Sequence, residues 1–219
     1  MRVIAAAVAL ALGLTACGQP PAPNTPSTPG ASSTAKMVNP ARIDRVRADL
    51  PAGYEVAEID RRATPVSLWG FGPNWSADPA DCATVAAPAV DTATGRGWSA
   101  SGAGGIVYAV VTRAAAPPDP ALADECEQWT VSGGHATGTV NAITAPAIDG
   151  AVTSAMATAV TTVVEGGTET RSHADTFTAD LGDYHCFVTV ITDPGSPNPP
   201  LSADFAADLL VKTVSALRG

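Results

Sequence analysis

The chain has 219 residues, of which 46% are hydrophobic and only 5% aromatic, and it carries a formal net charge of -9. That length allows one domain with a real hydrophobic core besides a leader segment, and the low aromatic content with 20 glycines and many β-branched residues favours sheet with tight turns. An acidic surface repels phosphate backbones, which excludes nucleic-acid binding and argues against adhesion of the domain itself to anionic head groups.

The N-terminus reads as an export leader. Arg2 is a positive n-region, and Val3 to Leu14 form an apolar run. The run is within the roughly 7–15 residues of a secretory h-region and short of the about 20 needed to span a bilayer. Leu14-Thr15-Ala16-Cys17 closes it in the pattern of a bacterial lipobox, so residues 1–16 are expected to be removed and Cys17 to carry a diacylglyceryl group. An ordinary secretory signal with an incidental cysteine is the alternative. Two acyl chains anchor stably where one does not, at about 0.8 kcal/mol per buried CH₂. The lipid bilayer is therefore the first expected partner, and the extracytoplasmic face of the membrane the expected location. Residues 17–36 are rich in proline, serine and threonine without apolar periodicity, the composition of an extended tether.

Residues 37–219 form the expected domain. Asn39 caps a helix with Pro40 at its first position and Ile43, Val46 and Leu50 on one face, ended by Pro51-Ala52-Gly53. Tyr54 to Ile59 read as a strand, residues 67–75 as an aromatic loop, and Asp78-Pro79 as the opening of a helix through Ala87. Trp98 to Arg113 read as two strands joined at Gly102-Ala103-Gly104-Gly105, the second nearly all apolar and central in a sheet. A short helix is expected over Asp119 to Gln128, then strands over residues 135–143, 156–165, 169–179 and 184–192, with Gly166-Gly167 turning a hairpin. Ser202 caps a last helix whose apolar face is Phe205, Leu209, Leu210, Thr213, Val214 and Leu217. The fold class is α+β: a largely antiparallel sheet with helices on one face.

With Cys17 committed to lipid, three cysteines remain in an oxidising compartment, Cys82, Cys126 and Cys186. One disulfide and one spare thiol is the simplest account. Cys82–Cys126 is the favoured pair, leaving Cys186 a buried small hydrophobe; pairing of Cys186 with Cys126 is the alternative. No close cysteine pair of the C-x₂-C type is present, so neither metal nor other cofactor is expected.

Several segments together carry a resemblance. Leu50-Pro51-Ala52-Gly53-Tyr54-Glu55-Val56, Leu68-Trp69-Gly70-Phe71-Gly72-Pro73-Asn74-Trp75, Asp78-Pro79-Ala80-Asp81-Cys82-Ala83, Cys126-Glu127-Gln128-Trp129 and Asp193-Pro194-Gly195-Ser196-Pro197 resemble the DUF5642 family of mycobacterial lipoproteins over roughly residues 37–219. The resemblance supports the location and the fold and supplies no catalytic residues. More distantly, the layout is similar to the extracellular sensor domain of a mycobacterial serine/threonine kinase, which implies a sheet flanked by helices, two disulfides and a cleft; this chain lacks one cysteine for a second bridge.

Trp69, Phe71 and Trp75, crowded on one Gly/Pro loop, are the candidate ligand-binding residues, for an apolar or sugar-binding cleft; capping of the core beneath a long loop is the bland alternative. Gly102 to Gly105 lack the spacing of a phosphate-binding loop and read as a hairpin turn. There is no G-x-S-x-G nucleophile elbow. His135, His173 and His185 are scattered, although His173 and His185 would meet if their strands paired suitably, and Glu165, Glu169 and Asp175 would pair as carboxylates if they faced one another across a hairpin; structural or surface histidines and acidic residues on a wet strand face are the favoured readings. No catalytic residue is assigned. The expected function is a non-enzymatic, membrane-anchored envelope lipoprotein binding a small apolar, glycan or other envelope-derived ligand; the alternative is a module that docks another envelope protein or acts as a sensor.

Overall fold

A computed structural model of the chain describes residues 37–116, 119 and 121–219. The expected signal peptide, Cys17 and the tether to residue 36 lie outside the described residues.

Nine antiparallel strands form one sheet in the order β1-β3-β4-β9-β8-β7-β6-β5-β2. The strands are β1 Glu55–Glu58, β2 Trp75–Asp78, β3 Val90–Gly102, β4 Gly105–Ala114, β5 Gln128–Gly133, β6 Ala136–Ala142, β7 Val152–Val163, β8 Glu169–Asp180 and β9 Tyr184–Thr192. Among the described residues the α-helices are α1 Pro65–Leu68, α2 Ala83–Ala86, α3 Leu122–Glu125 and α4 Ala203–Arg218, and 3-10 helices cover Pro40–Asp49 and Ala80–Cys82. The β3–β4 hairpin closes with Gly102 opposite Gly105, as the glycine cluster predicts.

Side chains alternate between the faces of a strand, and each face holds its own core. On the first, Trp98, Val107, Ala109, Val111, Phe177 and Val188 pack under α4 and the first 3-10 helix. The Asn39 side chain caps that 3-10 helix by accepting from the Ala41 N–H at 3.1 Å. Trp98 Nε1 donates to the Ile43 carbonyl at 3.1 Å, so the indole is buried with its polar atom satisfied. Ser202 caps α4 by accepting from the Phe205 N–H at 3.2 Å. The helix buries Ala206, Leu209, Leu210, Thr213, Val214 and Leu217, the i, i+3/i+4 stripe of an amphipathic helix. The Asn39 N–H donates to the Leu217 carbonyl at 2.8 Å, tying the start of the domain to its end.

On the second face, Trp129, Val131, Val140, Met156 and Val160 pack under Val66, Trp69, Phe71 and the Cys82–Cys126 disulfide. The expectation of helices on one face alone is therefore corrected: α4 covers one side, and α1, α2 and the segments around them cover the other. Two helices also prove shorter than expected. The Asp78–Ala87 segment is a 3-10 turn followed by α2, and among the described residues of Asp119–Gln128 only Leu122–Glu125 is helical. Gln128 instead opens β5, where Trp129 and Val131 are buried and Thr130 and Ser132 exposed; the packing of this alternating pair outweighs the short helical turn before it. The aromatic loop ends in a further unexpected strand, β2, which pairs Trp75 with Gly133 at the edge of the sheet.

Candidate ligand-binding groove

Residues 59–75 link the two edges of the sheet. They leave β1 at one edge and enter β2 at the other. Along the way a Cβ at Gly95 of β3 would overlap the Arg61 carbonyl oxygen, so glycine is required where the strap crosses. Thr64 and Ser67 then start α1 with a reciprocal capping box: the Ser67 N–H donates to Thr64 Oγ1 at 3.4 Å, and the Thr64 N–H to Ser67 Oγ at 2.9 Å.

Trp69 pins the strap. Its indole is 3% exposed, its Nε1 donates to Thr176 Oγ1 of β8 at 3.1 Å, and its ring lies 6.2 Å from that of Trp129. Thr176 Oγ1 in turn lies 2.9 Å from Thr189 Oγ1 of β9, so the buried polar group is shared across two strands. Phe71 follows between Gly70, at φ 99°, and Gly72. Its ring reaches the sheet at Gly138, where an added Cβ would meet Val131 Cγ1 at 3.0 Å and Phe71 Cζ at 3.5 Å. The crowding at Gly138 comes from Val131 and the Ala159 carbonyl, at 3.0 and 3.2 Å, with the Phe71 ring in ordinary contact beside them.

The strap encloses a groove of about 380 Å³. Ile59, Val66, Leu68, Phe71, Pro73 and Trp75 supply its apolar lining, and Asp60, Arg62, Thr64 and Ser67 its polar groups. Of the three predicted aromatics, Phe71 and half-buried Trp75 line this groove, whereas Trp69 lies behind it in the core. Arg62 was not singled out from the sequence, although Arg61-Arg62 is the only pair of adjacent basic residues in the chain. A second cleft, of about 330 Å³, lies between the Gly102–Gly105 turn and residues 192–200. Beneath that turn, Tyr54 Oη accepts from the Gly104 N–H at 3.1 Å, and burial raises the Tyr54 pKa above its usual value.

The histidines do not meet. His173 is paired with Thr192 and His185 with Asp180, which sets them at opposite ends of the β8–β9 ladder and on opposite faces. Each instead has a carboxylate: His173 Nε2 lies 3.0 Å from Asp175 Oδ1, and His185 Nδ1 lies 2.9 Å from Asp180 Oδ1. The bond to Asp175 raises the pKa of His173, against the opposing effect of burial. His185 Nε2 is buried without a partner among the described residues. The carboxylates do not converge either. Glu165 lies in the β7–β8 turn, Glu169 at the start of β8 pairs with Arg171 at 3.6 Å, and Asp175 lies six positions farther along, about 20 Å away at strand rise.

Cys82 and Cys126 form the expected disulfide, and Cys186 is a free thiol buried among the first core. Burial pushes its pKa up to about 12, which keeps it protonated and unreactive. Among the described residues no three His, Cys, Asp or Glu side chains are grouped to hold a metal ion, and no helix is long and apolar enough to cross a membrane.

Residues 39–218 match the domain of unknown function DUF5642. The chain belongs to the DUF5642 family. No curated protein matches it. The DUF5642 fold is shared with a solved structure of an uncharacterised Mycobacterium smegmatis protein (the Rv0999 ortholog). That protein is 21% identical with a TM-score of 0.59, over 83% of this chain and 98% of the other. At this identity the likeness is one of fold.

Proposed function

We propose that this DUF5642 protein is a lipid-anchored envelope protein that carries a small amphiphile in the strap groove. The observation that supports this reading is the groove itself, whose lining combines apolar side chains that include Phe71 and Trp75 with the charged Asp60 and Arg62. Its size falls within the range of small-molecule pockets, about 300–1,000 Å³. In this reading Cys17 holds the protein at the extracytoplasmic face and residues 18–36 space the domain from the lipid. Trp69 has a supporting part: by holding α1 against β8 it keeps Phe71 and Trp75 in place.

The test is native mass spectrometry of the full chain purified from its membrane, before and after denaturation. A co-purifying lipid or glycan is expected, retained by the parent protein and lost from Trp75→Ala; an empty parent protein overturns the reading. For the anchor, Cys17→Ser should move the protein from the membrane to the soluble fraction, and unchanged membrane retention would refute lipidation there.

A second reading, an interaction or sensor module of the envelope, has one feature in its favour. Opposite the strap core, β5 and β6 present the exposed hydroxyls of Thr130, Ser132, Thr137 and Thr139 as a flat polar surface. Cross-linking in the native membrane to a reproducible protein partner, with no bound small molecule, would favour it.

A further inference from the structure

We propose that Phe71 is a gate on the strap groove, swinging on a hinge at Gly72 between a closed form, with its ring on β6, and an open form in which the ring leaves the sheet. This inference rests on the ligand-binding reading and adds how the groove is entered.

Gly72 is the residue that carries it. Every other glycine among the described residues has a steric reason to be one. Either its backbone is left-handed, as at Gly70, or a neighbour lies within 3.2 Å of an added Cβ, as at Gly95. Gly72 has neither: its φ lies outside the left-handed region, and nothing stands within 4 Å of its Cβ position. A glycine leaves the unfolded chain freer than any other residue would, so one that the folded conformation does not require lowers stability for no return. Its freedom is unused in the closed form and serves a second one.

The surrounding chain is built as a flap between two fixed ends. Trp69 is held by its indole bond to Thr176, and Trp75 by pairing with Gly133. After Trp69, the Gly70 and Phe71 N–H groups donate to the Ser67 and Val66 carbonyls, both at 3.3 Å. Beyond them Gly72, Pro73 and Asn74 are exposed and make no hydrogen bond among the described residues. The middle of the flap is therefore held to the sheet by one side chain, the Phe71 ring, which is 3% exposed and reaches Gly138. Gly138 presents no side chain of its own. Withdrawing the ring uncovers β6 backbone and Val131 of the second core, and joins that space to the groove that Phe71 already lines. Lids open in this way, a few terminal or loop residues absorbing the backbone change. The closed form dominates because opening exposes a phenyl ring, which sets the open form at about 1–10% of the population.

The experiment is ¹⁹F relaxation-dispersion NMR of the full-length protein in lipid nanodiscs, with 4-fluorophenylalanine at its four phenylalanines. Phe71→Leu identifies the Phe71 signal. Gly72→Ala keeps the fold, since its Cβ enters open space, and restricts the hinge. The Phe71 signal is expected to show microsecond-to-millisecond exchange, and the buried Phe177 and Phe187 none. Gly72→Ala is expected to lower the open population about 2–5-fold. A Phe71 signal without exchange overturns the gate, as does exchange that Gly72→Ala leaves unchanged. Exchange at Phe71 in a protein that carries no ligand in native mass spectrometry overturns the ligand-binding reading and leaves the hinge standing.

Discussion

On one face of the sheet the 16-residue helix α4 lies over β8 and β9; on the other, a strap containing only the four helical residues of α1 lies over β6 and β8. The first cover satisfies its own backbone and needs little from the sheet except an apolar face. The second makes only local turn and capping hydrogen bonds within itself, and it is held to the sheet by single devices: one indole N–H on Thr176, one phenyl ring against β6, and a nearby disulfide. Regular packing distributes stability over many contacts, whereas an irregular cover concentrates it in a few. The groove occurs in the irregular cover, where side chains are not all consumed in filling the core.

The largest effect is expected from the regular side. Leu210 is fully buried beneath α4, and Leu210→Ala should lower unfolding free energy by about 2–5 kcal/mol through lost transfer and a residual cavity. Urea denaturation should show a single transition at lower midpoint. A second transition would mean that the two covers unfold independently.

The disulfide comes next. Cys82 and Cys126 are 44 residues apart in the chain, and their joint replacement by alanine should cost about 2–4 kcal/mol. The informative measurement is hydrogen exchange: protection should fall over residues 59–89 and persist in α4. Equal loss in both would break the contrast between the faces. Trp69→Phe should cost less, about 1–3 kcal/mol, from the lost indole bond and the small cavity left by the smaller ring, since Thr176 keeps Thr189 as a partner. It should also weaken ligand retention with α4 undisturbed.

The regular half was legible in the sequence for a physical reason. The six apolar residues of α4 repeat at helical spacing behind a serine cap, and β8 and β9 are long runs bounded by turns. The irregular half was legible in composition only. Residues 67–75 announce aromatics and turns, but no local pattern says that Trp69 turns inward while Trp75 pairs with Gly133; that choice depends on Thr176 and Gly138, far along the chain. For β5 the signal existed, since Trp129 and Val131 alternate with Thr130 and Ser132, but the short turn of α3 obscured it. The early start of β3 was hidden differently. Its first residues bulge between Asp91 and Arg96, and Thr94 Oγ1 donates to the Asp91 carbonyl at 2.7 Å, a local bond that imitates a loop. Arg62 had only its neighbour Arg61 to mark it, and its place in the groove depends on how the strap folds.

The smallest expected effect concerns the open polar face that neither cover reaches. The His173 side chain is 40% exposed there, while that of its partner Asp175 is 9% exposed. The hydrogen bond to Asp175 raises the histidine pKa in the folded state, and burial only partly opposes it. The unfolded chain binds the same proton near the usual value of about 6.5. The pair therefore contributes its stability fully below that pH and loses it as pH rises through the higher folded value. Because the imidazole is exposed to solvent, the contribution should stay under about 1 kcal/mol. Asp175→Asn keeps a hydrogen-bonding side chain and removes the charge, so the difference in unfolding free energy between parent and variant should shrink from pH 5 to pH 8. A difference that grows over that range would reverse the assignment and place the neutral imidazole, not the imidazolium, as the form the polar face stabilises.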